Sequence, residues 1–98
     1  MAMTTLEKLQ SRYRLPKRAI AEEFECRWPF TMNYGDKLIT CGSYYTGTGA
    51  DYYGAVYSFT TEDHTCEGEI MLEEISEETF IDRGHALEWA IKEAAQHE

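Results

Sequence analysis

Apolar positions in the first fifteen residues recur at three- and four-residue intervals. Leu6, Leu9 and Tyr13 fall on one side of a helix, and Thr4 with Glu7 three residues later forms a capping box. Pro16 ends this helix, because proline disfavours helical backbone at Leu15. From Glu22 the period shortens to two. Phe24, Cys26, Trp28 and Phe30 alternate with Glu23, Glu25 and Arg27, which predicts a strand with one dry face and one wet face. Pro29 would put that strand at an edge or a bulge. Asn33-Tyr34-Gly35-Asp36 reads as a turn. A second strand is predicted over 37–46 and a third over 52–61, joined by the Thr46-Gly47-Thr48-Gly49-Ala50-Asp51 loop. In the third strand Tyr53, Ala55, Tyr57 and Phe59 share one face, and Tyr52, Gly54, Val56 and Ser58 the other. After a turn at Glu62-Asp63-His64, a fourth strand over 66–73 turns Ile70 and Leu72 to one side and Glu67, Glu69 and Glu73 to the other. The last segment is a helix capped by Asp82, with Ala86, Leu87, Ala90, Ile91, Ala94 and Ala95 in one stripe and Trp89 at its border. Residues 74–81 fit either a helix capped by Ser76 or a short fifth strand at Thr79-Phe80-Ile81.

This pattern predicts an α+β fold: an N-terminal helix, a four- to five-stranded antiparallel meander, and a C-terminal amphipathic helix packed on one face. One sheet face is the expected seat for both helices. The 98 residues suit a single domain over 1–98. Its parts are a basic helical segment (1–21), the sheet (22–75) and the final helix (82–97). No run approaches 18 apolar residues, so no membrane span is expected. The opening twenty residues lack the apolar stretch of a secretory signal. Three cysteines, Cys26, Cys41 and Cys66, have spacings of 15 and 25 that match neither zinc nor redox motifs. Reduced, buried thiols in a cytoplasmic protein are therefore expected, with no metal or cofactor.

Charge changes the picture. The formal net charge is −9, from 18 acids against 9 bases. Seven of the bases (Lys8, Arg12, Arg14, Lys17, Arg18, Arg27 and Lys37) lie in the first 37 residues, where five acids leave a net +2. The other 61 residues carry −11, and from Leu38 to Asp82 there is no Lys or Arg at all. A single-signed field works against the compact state, and a cationic partner would be a reason to keep it. Such a surface repels DNA, RNA and anionic lipid, so neither direct nucleic-acid binding nor membrane binding is expected. On a strand, residues i and i+2 lie about 6.6 Å apart, so Glu67, Glu69 and Glu73 would form a carboxylate row able to imitate phosphates. Glu62, Asp63, Glu74, Glu77, Glu78 and Asp82 extend the candidate partner-binding face.

Six of seven tyrosines lie between Tyr34 and Tyr57. Neighbours on a strand face opposite ways, so Tyr44-Tyr45 and Tyr52-Tyr53 must each send one ring inward and one outward. The outward rings would supply the less salt-sensitive part of a protein contact. Thr46-Gly47-Thr48-Gly49 lacks the lysine and following helix of a phosphate loop. Asp63-His64 has no nucleophile placed near it. No catalytic motif appears, and an enzyme is not expected.

A small, strongly acidic domain ending in a sheet and an Asp-capped helix (FIDRGHALEWAIKEAA, from Phe80) resembles phage-encoded anti-defence proteins, anti-CRISPR inhibitors in particular. The resemblance implies a non-catalytic inhibitor that occupies the basic nucleic-acid-binding surface of a host defence complex such as a CRISPR effector. An immunity protein or antitoxin against a basic toxin has the same chemistry. A domain that self-associates through its tyrosines is the alternative of a different class.

Overall fold

A computed structural model describes residues 3–45, 47–62, 64–65 and 67–96. Thr46, Asp63 and Cys66, named above, lie outside the described residues. Helix α1 spans Thr5–Tyr13. Its capping box is formed as expected: the Thr4 hydroxyl accepts from the Glu7 amide, and the Glu7 carboxylate accepts from the Thr4 amide, both at 3.1 Å. The helix closes on Arg14 in the left-handed region (φ 57°), whose amide donates to the Gln10 carbonyl. Two residues later Pro16 leads into strand β1, Arg18–Ile20.

The next element corrects the sequence reading. Residues Ala21–Arg27 form helix α2, not a strand. Ala21, Phe24 and Trp28 recur at three and four residues and turn together toward the core, with the Phe24 and Trp28 rings stacked at 4.6 Å. Cys26 and Phe30, counted as inward by the two-residue period, are exposed. Glu22 and Glu23 in the first turn and Arg27 in the last suit the helix dipole.

Strands β2 (Thr31–Tyr34), β3 (Lys37–Tyr45), β4 (Ala50–Phe59) and β5 (Glu69–Ile75) form the meander. With β1 beside β5 the sheet order is β1-β5-β4-β3-β2, antiparallel throughout. Gly35 at φ 62° makes the two-residue turn between the paired Tyr34 and Lys37. A bulge interrupts β5: Tyr57 faces Leu72 but Val56 faces Glu74, so Glu73 is the extra residue. That insertion lets Ile75 join Ile70 and Leu72 on the same face.

Both faces of the sheet are covered, where the sequence suggested one. Leu38, Tyr53, Ala55, Tyr57, Ile70 and Leu72 meet α1 and α2 through Leu9, Tyr13 and Phe24. Ile39 and Val56, from the opposite face, meet Ala90 and Ala94 of helix α3, Arg83–Gln96. Each large side chain buried here stabilises the fold by roughly 1.5–3 kcal/mol. Between β5 and α3, Phe80 makes an isolated bridge to Tyr52, and no regular helix or strand forms over 76–82. Among the described residues no helix is long and apolar enough to cross a membrane.

An acidic hollow beside the C-terminal helix

Helix α3 covers β3 and β4 but leaves the β5 flank of that face open. Its close seat depends on Gly54, where a Cβ would lie 2.6 Å from Trp89 Cε3 and 2.9 Å from the Ala86 carbonyl oxygen. Gly54 is held in turn by Ser76, whose hydroxyl accepts from the Gly54 amide at 3.1 Å and whose amide donates to the Gly54 carbonyl at 2.9 Å. Ser76 therefore fixes the chain as it leaves β5, and Glu77 and Glu78 follow directly.

The result is a hollow of about 430 Å³ walled by Glu74, Glu77, Glu78 and Glu93, with Phe80 and Trp89 as its aromatic parts. Among the described residues that line it there is no lysine or arginine. Carboxylates beside an indole and a phenyl ring suit a lysine ammonium or an arginine guanidinium, through charge-assisted hydrogen bonds and cation–π attraction. Glu93, Phe80 and Trp89 were not among the partner-binding residues expected from sequence, where Phe80 and Trp89 figured only as parts of a strand or helix. The available signal was the i,i+4 spacing of Trp89 and Glu93 on one helix.

The other expected site residues are placed unevenly. Glu62 and Glu67 are exposed in the β4–β5 connection, at the far end of β5 from Glu77. Because β5 begins at Glu69 and Glu73 sits in the bulge, the regular row of Glu67, Glu69 and Glu73 does not form. Arg18 on the neighbouring strand reaches Glu69 at 3.7 Å, an exposed pair that offsets one charge of the flank. Asp82 caps α3, accepting from the amide and from ring Nδ1 of His85, both at 2.8 Å. These contacts, the His85 amide first, hold its carboxyl below the usual value.

The tyrosine pairs split inward and outward as expected, but the outward set is small. Tyr53 is buried, stacked on Tyr13 at 3.9 Å, and its hydroxyl accepts from Trp28 Nε1 at 3.0 Å. Tyr44 meets Tyr13 edge-on at 5.3 Å. Tyr52 is half-buried, with the Arg83 guanidinium 4.8 Å from its ring centre. Only Tyr45 of the four is well exposed, at 79%. The aromatic share of the candidate site thus passes to Phe80 and Trp89.

Burial also pushes the Tyr53 and Tyr57 hydroxyls and the Cys41 thiol above their ordinary values. The Tyr57 hydroxyl donates to the Pro16 carbonyl at 2.6 Å, tying the entry of β1 to β4. Cys41 is buried in β3, as expected of a structural thiol, whereas Cys26 is exposed on α2. Among the described residues no group of three or more His, Cys, Asp or Glu could hold a metal ion.

Fold and site together define a small α+β domain with an acidic, aromatic-floored surface. The chain belongs to the nucleotide modification associated domain 4 family, whose model matches residues 1–94. No curated protein and no solved structure matches it.

Proposed function

We propose that this chain is a non-catalytic protein-binding module. It docks its acidic hollow on a lysine- and arginine-lined surface of a partner that handles nucleic acid. The observation that carries this reading is the convergence of Glu74, Glu77, Glu78 and Glu93 around Phe80 and Trp89. Family membership supports a partner from nucleotide-modifying machinery. A CRISPR effector, the target implied by the anti-defence resemblance, has the same surface chemistry and is the second partner to try. Occupying such a groove would compete with the partner's nucleic acid, so the module would act as an inhibitor or gate.

The experiment is capture from cells of the source organism with the wild-type chain and with Glu77→Lys/Glu78→Lys, at low and high salt. Both positions are exposed, so the double variant is expected to keep its circular dichroism and melting temperature. The expected result is a basic nucleic-acid-handling protein that elutes with added salt, is displaced by its own nucleic acid, and is bound at least about tenfold more weakly by the double variant. Salt-insensitive binding, or a partner without a basic surface, would overturn the reading.

A further inference from the structure

The two edges of the sheet are treated differently. At one, β1 carries Arg18, paired with Glu69, and runs straight into α2. At the other, no strand among the described residues pairs with the outer side of β2, whose Asn33 side chain donates to the His64 carbonyl at 3.2 Å; β2 carries no charge, and from Trp28 to Gly35 the chain has none either. Phe30 is 54% exposed there and Met32 46%. Edge strands are ordinarily blunted by lysine, inward charge or cover; among the described residues β2 has its shortness, the preceding Pro29 and the Asn33 bond to the His64 carbonyl, and no strand or lysine on its outer side.

The backbone geometry says what can cover it. The Cys41 amide donates to the Phe30 carbonyl, so Phe30 exchanges hydrogen bonds with β3. By alternation Met32 and Tyr34, opposite Ile39 and Lys37, do the same. Thr31 and Asn33 therefore aim their N–H and C=O groups at the open side. A second β2 running antiparallel about a two-fold axis would pair Thr31 with Asn33 of the second copy, and Asn33 with its Thr31, giving roughly four ladder hydrogen bonds. Met32 then faces its own copy on the axis, and Phe30 faces Tyr34 of the second copy.

The charges at the two ends of β2 are opposite. Arg83 lies 3.7 Å over the Phe30 ring at one end, and Asp36 sits in the turn at the other. The antiparallel arrangement brings each Asp36 toward the other copy's Arg83. A hollow of about 170 Å³ between β2 and α3, lined by Phe30, Thr31, Met32, Cys41, Arg83 and Leu87, lies on the same face, beside the seam that the second copy would cover.

We infer that β2 is a self-association edge, joining two copies of this chain into a ten-stranded antiparallel sheet with Met32 on the two-fold axis. A strand this short buries less than the ~800 Å² per partner of a standard interface, so the dimer is weak and concentration-dependent. Sedimentation between about 5 and 500 µM should show a monomer–dimer equilibrium that stops at two copies. Met32→Lys places two ammonium groups on the axis and should weaken the dimer at least about tenfold with the fold intact by circular dichroism. In a Cys26→Ser/Cys66→Ser background, Met32→Cys should form a disulfide-linked dimer on mild oxidation, because a directly opposed, non-hydrogen-bonded pair has Cα atoms about 4.5 Å apart. Asn33→Cys in the same background should cross-link far less. A chain that stays monomeric over the whole range, a dimer unaffected by Met32→Lys, or preferential cross-linking through Asn33→Cys would overturn the inference.

Discussion

Gly54→Ala tests the packing on which the acidic hollow depends. The added methyl would sit 2.6 Å from Trp89 Cε3, 3.2 Å from its Cζ3, and 2.9 Å from the Ala86 carbonyl oxygen. The indole can swing away, but the carbonyl is helix backbone. Restoring an ordinary contact means lifting α3 by about half an ångström, and Ala86, Ala90 and Ala94 lose contact with the sheet together. Overpacking of this kind costs about 1–3 kcal/mol. In a domain near 100 residues that corresponds to a fall in melting temperature of roughly 5–20 °C. Far-ultraviolet circular dichroism during heating reads the loss, and tryptophan fluorescence reads the displacement of Trp89. Gly49→Ala is the control: a methyl there meets nothing within 4 Å, so its melting temperature should hold or rise slightly. Where Gly54→Ala remains folded, partner binding through the hollow should weaken, because Trp89 forms part of its wall. A melting temperature within about 2 °C of wild type would refute the argument, since a seated helix could not absorb that methyl without strain.

Alkali should unfold the protein through Tyr53 and Tyr57. Their protons are held more tightly in the folded state, so this stability is intact below the unfolded-chain value of about 10 and is lost as pH rises beyond it, with part of the phenolate absorbance appearing only on unfolding. Acid should act through Asp82, whose depressed folded value gives stability that is present above about pH 4 and lost as pH falls through that lower value. Asp82→Ala should accordingly melt below wild type at neutral pH, and the gap should close as the solution is acidified.

What was legible in the sequence follows from how local each determinant is. The α1 cap, the Gly35 turn and the faces of β4 are set within a few residues, and each appears as expected. Helix α2 was not legible by alternation, because two patterns overlap there. Phe24, Cys26, Trp28 and Phe30 satisfy a period of two, while Ala21, Phe24 and Trp28 satisfy a helical one. The acids in its first turn and the arginine in its last favour the helix, and packing decides it: Phe24 and Trp28 stack on one side while Cys26 faces out. Strand β1 carries no signal of its own, since three residues make a strand only because β5 offers an edge. Charge was legible as a total and not as a surface. The Glu73 bulge and the start of β5 at Glu69 break the expected carboxylate row, while Ser76 and Gly54 bring Glu77 and Glu78 beside a glutamate and a tryptophan from α3. A run of acids along one strand therefore becomes a hollow only through the tight approach of helix to sheet, which ties the functional proposal to the same methyl-sized gap at Gly54.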